Sequence, residues 1–328
     1  MRGSTGRPIR RGNVIDRRVL LRTAGAGLAL GSAGLAGPLA SFAAESRLPL
    51  WPGTPPGGGG PAGPEAMSDK GAARNIAVPG LEVFTPDVPT GAAMLVAGGG
   101  GYRRIQMETE ARPAARWLAA RGVTAFVLAY RLPGEGWGDG PCAPLQDAQR
   151  ALRLIRARSH SYRIDPARVG VLGFSAGAHL LGLAATRFAF ASYRAVDAAD
   201  GLSARPDDAA LIYPVITLEP PYDHTVSRRM LVGARPDPDL SAAWSVETHV
   251  RGGCPPTFLV QAEDDPISDP ANTRLMAQAC RHAGVPVEFH ALASGGHGFG
   301  MGRPGTPSAA WPDWYAAWLR GRGMISAG

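Results

Sequence analysis

One five-residue segment in the middle of the chain constrains the fold more than any other part of the sequence. Residues 173–177 read GFSAG, directly after the apolar run 169–172 and directly before a helical pattern. A serine on such a strand-to-helix turn is held where only small neighbours fit, and its hydroxyl is pushed clear of the sheet. The segment therefore predicts Ser175 as a nucleophile; the alternative is a glycine-rich turn with an incidental serine.

The rest of the chain alternates in the way that this turn requires. Short apolar, β-branched runs alternate with longer helical patterns, which predicts an α/β fold with a mostly parallel sheet and helices on both faces. The interval 214–256 is too long for a simple connection, and we expect it to be an insertion beside the site. The predicted strands are 81–84, 92–97, 124–129, 169–173, 209–213, 257–261 and 287–292. The predicted helices are 108–121, 144–158, 176–187, 270–283 and 312–320.

The net charge of the chain is concentrated at its N-terminus. The formal charge is +7, and the residues before Glu45 include seven arginines and a single acid, Asp16. The remainder is therefore nearly neutral, and it has no run of Lys and Arg with interleaved aromatic residues. Because a nucleic-acid-binding protein needs such a basic surface, we expect no nucleic-acid partner.

The N-terminal segment has the layout of a secretory signal peptide. After the basic start, residues 23–44 carry no charge, are rich in Ala, Gly and Leu, and end on small residues. Residues 16–22, DRRVLLR, resemble a twin-arginine export signal, whose cargo is usually moved folded. We therefore expect residues 1–44 to be a signal peptide, the twin-arginine machinery to be a partner, and the protein to be periplasmic or extracellular. The alternative is an uncleaved anchor, since 22 uncharged residues could span a bilayer, but no stable membrane anchor is expected.

The stretch that follows the signal is predicted to be an arm rather than part of the main domain. Residues 48–64 contain six prolines and four consecutive glycines, which are unfavourable in helices and strands. We place an extended arm at 45–73 and the ordered domain at 74–328. The three cysteines, Cys142, Cys254 and Cys280, lack the spacing of a zinc site, and buried or unpaired thiols are favoured.

A serine nucleophile needs a histidine base and an orienting carboxylate, which follow the serine in the order Asp, His in this context. His297 lies in the glycine-rich segment GGHGFG, after the predicted strand that ends near residue 292. For the other six histidines we expect packing or hydrogen-bonding roles. The acid should follow the strand 257–261, where Glu263, Asp264 and Asp265 are adjacent. Because Pro266 fixes the turn, Asp265 is favoured as the orienting acid, with Asp264 as the alternative.

Ester and amide chemistry also needs backbone N–H groups directed at the developing oxyanion. Residues 98–102 read GGGGY and directly follow the strand that ends at Ala97, so this backbone can approach a substrate without side-chain clash. Together with the N–H of Ala176 it is a candidate oxyanion hole. The alternative, a phosphate-binding loop, lacks the Gly-Lys-Ser/Thr sequence and the spaced glycines of such loops.

Several segments together resemble the α/β-hydrolases, and more narrowly the bacterial esterases related to acetylxylan esterases and feruloyl-esterase-like enzymes. The resemblance covers nearly all of the chain from LWPG at 50–53 to WLR at 318–320, and 74–328 would be the α/β-hydrolase domain. It implies that Ser175 is the nucleophile, Asp265 the orienting acid and His297 the base. It also implies an oxyanion hole of Gly100, Gly101 and Ala176, with no metal or organic cofactor. The matching segments are GGGY (99–102), AYRL (129–132), DAQR (147–150), RPD (205–207), YPVI (213–216) and HGFG (297–300).

The resemblance implies a serine esterase that hydrolyses small acyl esters through an acyl-enzyme. The expected substrate is a small molecule or an oligosaccharide, such as an acetylated xylan fragment. The alternative within enzymes is a broad carboxylesterase on small non-carbohydrate esters; peptide cleavage is disfavoured because the propeller domain of prolyl oligopeptidases is absent. From another class, the alternative is a catalytically silent homologue that only binds carbohydrate.

Overall fold

The computed structural model describes residues 47–326, so the predicted signal peptide lies outside the described residues. The strands are β1 (Leu48–Pro49), β2 (Ala66–Met67), β3 (Ala72–Arg74), β4 (Gly80–Phe84), β5 (Ala93–Ala97), β6 (Ile105–Gln106), β7 (Thr124–Ala129), β8 (Val169–Phe174), β9 (Ala209–Ile212), β10 (Thr257–Ala262) and β11 (Val287–Leu292). The helices are α1 (Arg112–Ala119), α2 (Cys142–Ala157), α3 (Ser159–Tyr162), α4 (Ala176–Thr186), α5 (Val226–Val232), α6 (Pro238–Ala243), α7 (Ala271–His282) and α8 (Trp311–Gly321). All seven predicted strands and all five predicted helices are present.

The main sheet has eight strands in the order β1-β4-β7-β5-β8-β9-β10-β11. Strands β7, β5, β8, β9, β10 and β11 pair in parallel, whereas β4 is antiparallel to both of its neighbours. Every residue of β5, β7 and β8 is buried, as expected for strands that are covered on both faces. The predicted mostly parallel sheet is therefore confirmed.

Helices cover both faces of this sheet. The connection β5-α1-β7 runs in one direction across the sheet, and the connections β7-α2-β8, β8-α4-β9 and β10-α7-β11 run in the other. Because such crossovers are right-handed, the two directions place their helices on opposite faces. The contacts agree: α2 packs on α4, whereas Trp117 of α1 stacks on Tyr315 of α8 at 5.8 Å.

The ordered domain begins earlier than the sequence predicted. The Gly- and Pro-rich stretch is mostly irregular, as expected, but its first residues form β1 at the edge of the main sheet, and β2 and β3 pair in a small sheet with β6. Leu50 and Trp51 are buried, and the Trp51 indole N–H donates to Asp147 Oδ1 at 2.8 Å. Composition disfavoured regular structure here, but burial of these two side chains anchors the stretch from residue 47 onward.

Two central strands define the position of the site. Strands β5 and β8 are hydrogen-bonded neighbours. After β5 the chain crosses to β7 on one side of this pair, and after β8 it crosses to β9 on the other side. Ligands of open α/β sheets bind in the crevice at such a switch point, outside the carboxyl ends of the strands. The glycine loop after Ala97 and the turn at Ser175 therefore meet at one crevice.

The long interval between β9 and β10 lies beside the crevice. The interval 214–256 folds into α5, α6 and a 3-10 turn, and residues of its first part line the crevice, as predicted.

The three cysteines are free thiols, with Cys254 and Cys280 buried, in agreement with the favoured interpretation. Within residues 47–326, no helix has the length and hydropathy needed to cross a bilayer.

Candidate active site

Ser175 lies on a strained turn between β8 and α4, as the GFSAG segment predicts. Its φ of 51° is in the left-handed region, which is uncommon for a residue with a side chain. The small flanking residues are required by close packing: a Cβ on Gly177 would lie 2.3 Å from the carbonyl oxygen of Ala97, and one on Gly173 would lie 2.5 Å from the Cα of Ala178. The glycines therefore allow the tight turn that directs the serine hydroxyl into the crevice.

Three side chains that are far apart in the sequence form a hydrogen-bonded chain. His297 Nε2 lies 2.8 Å from Ser175 Oγ, and His297 Nδ1 lies 2.8 Å from Asp265 Oδ2. With a carboxylate at Nδ1, the neutral imidazole carries its proton there, and Nε2 is free to accept the serine proton. This geometry is that of a nucleophile, a base and an orienting acid.

The structure distinguishes the three adjacent acids that the sequence left in competition. Asp265 is buried, and its second oxygen, Oδ1, accepts the N–H groups of Ile267 and Ser268 at 2.8 and 2.9 Å. Asp264 instead accepts two backbone N–H groups of the segment before His297, at residues 295 and 296. Glu263 forms an exposed ion pair with Arg274. Asp265 therefore orients the imidazole, and Asp264 holds the loop that carries it.

The glycine loop lies against the nucleophile on the other side of the crevice. Gly99 is so close to Ser175 that a Cβ there would lie 2.7 Å from the serine Cβ. Gly100 and Gly101 both have positive φ, 121° and 65°, and both line the crevice together with Ser175 and His297. Among the described residues their N–H groups have no hydrogen-bond acceptor, nor does the N–H of Ala176 at the start of α4. The three predicted oxyanion donors are thus available.

Glu110 is a site residue that the sequence analysis missed. It lies in a π-helical turn (Met107–Ala111), is 4% exposed, and accepts the N–H of Gly99 at 2.6 Å. Burial raises the pKa of Glu110, whereas the hydrogen bonds from Gly99 and Tyr213 and the charge of His297 lower it. Because its spacing is that of an ordinary helical residue, no local signal marks its burial; π-helical turns often occur at functional sites.

Tyr213 connects Glu110 to the loop that carries the base. Its hydroxyl donates to Glu110 Oε1 at 3.0 Å and accepts the N–H of Gly300 at 3.1 Å. Its ring packs edge-on against His297, with the ring centroids 4.9 Å apart, and its φ is 39°. The sequence placed Tyr213 at a strand end and in a resemblance segment but assigned it no role. Glu110 and Tyr213 therefore link the glycine loop to the histidine loop.

His179 has the hydrogen-bonding role expected for histidines outside the site. It is fully buried, with Nδ1 2.9 Å from the Tyr102 hydroxyl and Nε2 2.9 Å from the carbonyl oxygen of Trp244. Burial lowers the pKa of His179 to about 4, so the ring is neutral and its proton lies on Nε2. His179 therefore connects Tyr102, which follows the glycine loop, to Trp244 in the inserted interval 214–256.

The crevice above Ser175 has a volume of about 270 Å³. Its walls are formed by the glycine loop, the His297 loop, Ile267, and Val215 with residues 225–227 of the inserted interval. The Ile267 side chain is 57% exposed at this mouth. Among residues 47–326, no group of three or more His, Cys, Asp or Glu side chains has the arrangement of a metal site.

Comparison with known proteins gives consistent results. The family described as alpha/beta hydrolase fold matches residues 94–301. The chain is 37% identical over 205 residues to endo-1,4-beta-xylanase B of Butyrivibrio fibrisolvens and 31% identical over 240 residues to an acetylxylan esterase of Xylanibacter ruminicola. These matches cover 62% and 72% of this chain but only 32% and 45% of the two relatives. The chain thus spans less than half the length of either relative.

Solved structures match over more of their length. The acetyl ester-xyloside bifunctional hydrolase from Caldicellulosiruptor lactoaceticus is 36% identical, with a TM-score of 0.73, covering 86% of this chain and 97% of that one. A propionate-bound esterase of Thermogutta terrifontis, with a TM-score of 0.62, is 22% identical and covers 82% of this chain and 97% of that one. The second likeness supports the fold alone.

Proposed function

Since the chain belongs to the alpha/beta hydrolase family, we propose that it is a serine esterase that removes small, acetyl-type acyl groups from carbohydrate such as acetylated xylan fragments. The observation that carries the chemistry is the unbroken hydrogen-bonded chain from Ser175 through His297 to Asp265, with 2.8 Å at each step. A serine hydroxyl by itself is a poor nucleophile, and this arrangement supplies the base that activates Ser175.

The proposed reaction has two steps. Ser175 Oγ attacks the ester carbonyl carbon and passes its proton to His297 Nε2. The N–H groups of Gly100, Gly101 and Ala176 stabilise the oxyanion, and each such donor contributes about 3 to 4 kcal/mol when it is preorganised. His297 then protonates the leaving alcohol, which leaves an acyl-enzyme. Water, deprotonated by the same imidazole, attacks the acyl carbon and releases the carboxylic acid and free serine.

The carbohydrate part of the proposal rests on similarity. One relative is named an acetylxylan esterase, and a solved structure that covers most of this chain is named an acetyl ester-xyloside bifunctional hydrolase. The crevice above Ser175, with its volume of about 270 Å³, accommodates a small acyl group and the sugar atoms next to it.

Acetate release from acetylated xylo-oligosaccharides tests both parts of the proposal. The protein without residues 1–44 is compared with Ser175→Ala and with Ser161→Ala, whose serine is exposed on α3, away from the crevice. We expect release by the parent and by Ser161→Ala but not by Ser175→Ala. Hydrolysis of p-nitrophenyl butyrate without acetate release from the oligosaccharide would instead identify a broad carboxylesterase. Inactivity of the parent on every ester, with carbohydrate still bound, would identify a silent binding protein.

We also propose that the protein is exported through the twin-arginine route, on the basis of the segment DRRVLLR at 16–22. Residues 1–44 fused to a reporter that is active only after export should direct it across the membrane. Replacement of Arg17 and Arg18 by lysine should retain the reporter in the cytoplasm, and unchanged export of that variant would contradict the proposal.

A further inference from the structure

A second, larger groove opens directly from the crevice above Ser175. Its volume is about 890 Å³, and it shares five lining residues with the crevice, so the two form one continuous surface. The shared residues are Arg103, Arg104, Gln106, Glu110 and Gly298.

The walls of this groove are strongly cationic. Lys70, Arg74, Arg103 and Arg104 are exposed, and within residues 47–326 none of them pairs with a carboxylate. Arg303 also lines the groove, and its guanidinium donates only to backbone carbonyl oxygens of residues 295–298. The acids on the walls are Asp69 and Glu110, and Glu110 is buried and engaged. The groove is thus lined by five cationic and two acidic side chains. This excess is local, because the chain after residue 44 is nearly neutral overall.

The position of His297 indicates which part of a substrate enters this groove. The imidazole must protonate the leaving oxygen, so the alcohol part of the ester lies on the His297 side of the nucleophile. Gly298, the next residue, lines both the crevice and the groove, and Arg303 is anchored to the backbone of the same loop. The groove therefore lies where the alcohol part of the ester leads away from the reacting carbon.

Resting on the esterase function proposed above, we propose that the groove recognises a carboxylate on the alcohol part, so that the preferred substrate is an acetylated oligosaccharide that carries a uronic acid. Unpaired guanidinium groups bind carboxylates with bidentate hydrogen bonds, and a concave wall with an excess of one charge sign concentrates oppositely charged substrates. A neutral oligosaccharide would leave these cations without a counter-charge.

Binding is measured first, because it does not depend on turnover. Ser175→Ala is titrated calorimetrically with a xylo-oligosaccharide bearing one glucuronic acid and with the neutral oligosaccharide of equal length. We expect tighter binding of the acidic sugar, and an advantage that falls as NaCl is raised, since added salt screens exposed charges. In the Ser175→Ala background, Lys70→Gln with Arg74→Gln should reduce the advantage about 3- to 10-fold.

The matched control is Arg158→Gln, an exposed arginine just after the end of α2, near the amino ends of the strands and therefore at the opposite edge of the sheet from the crevice. It should leave the advantage of the acidic sugar unchanged. Equal binding of the two sugars, or a loss of advantage in Arg158→Gln as large as in the double variant, would overturn the inference. Acetate release by the parent separates the two proposals: release with equal sugar binding removes only the acid preference, whereas no release with preferential binding removes only the esterase.

Discussion

Replacing Glu110 by glutamine tests whether this buried carboxylate positions the glycine loop. Glutamine keeps the shape, but its NH₂ group cannot accept a hydrogen bond, so one of the bonds from Gly99 or Tyr213 is lost. A hydrogen bond to a charged group contributes about 1.5 to 3 kcal/mol. If that energy holds Gly100 and Gly101 in the geometry of the transition state, kcat falls about 10- to 150-fold, since about 1.4 kcal/mol corresponds to tenfold.

The pH profile distinguishes this role from a purely structural one. Burial raises the pKa of Glu110, and its protonated form, like glutamine, has only one strong acceptor oxygen. As pH falls and Glu110 protonates, the advantage of the parent over Glu110→Gln in kcat/KM should therefore shrink. The assay is p-nitrophenyl acetate hydrolysis across pH 4 to 9, with near-UV circular dichroism as the measure of intact tertiary structure.

Glu108→Gln is the matched control. Glu108 lies in the same π-helical turn, but it is exposed and pairs with Arg112 and Arg116 at the surface. An exposed pair contributes little, so the kcat and kcat/KM of Glu108→Gln should stay within about twofold of the parent at every pH. If Glu110→Gln behaves like Glu108→Gln in both kcat and pH profile, Glu110 has no positioning role and the reasoning is refuted.

Further predictions concern four aspartates. Asp265→Asn should lower kcat about 10,000-fold by favouring the wrong imidazole tautomer, whereas Asp264→Asn, which keeps an acceptor oxygen, should lower it about tenfold or less; equal losses would contradict these roles. Asp147→Asn leaves the buried guanidinium of Arg131 unpaired, and urea denaturation should show a loss of about 3 to 5 kcal/mol. Burial raises the pKa of Asp208 to about 7, so its protonated form is favoured by folding and stability declines as pH rises towards that value. The stability of Asp208→Asn relative to the parent should therefore increase by about 2 to 3 kcal/mol between pH 5 and pH 8, and a constant difference would contradict a buried carboxyl.

The framework of the site was predictable from the sequence because its signals are local. A buried parallel strand is a short apolar run, and the turn at Ser175 needs small residues within two positions on either side. The predicted strands and helices agree with the observed ones to within a few residues. His297 could be selected because one histidine alone lies in a glycine-rich loop after a late strand.

Local sequence signals did not decide which of three adjacent acids orients His297. Glu263, Asp264 and Asp265 are consecutive and chemically alike, and the turn favoured Asp265 only through Pro266. Their roles follow from direction: Asp265 points to His297, Asp264 to the backbone before it, and Glu263 to solvent. A single residue of displacement along a turn changes the direction of a side chain, and composition carries no information about that.

The sequence by itself determined the α/β architecture, the strand that ends at Ser175 and the histidine that follows late in the chain. Only the tertiary structure decided that Glu110 and Tyr213, 103 residues apart, join the two loops of the site, that residues 47–73 belong to the domain, and that cations from separate segments line one groove. The physical reason is that periodicity and turn chemistry act over a few residues. Hydrogen bonds, burial and electrostatic fields depend instead on distances in space, which are set only when the whole sheet has assembled.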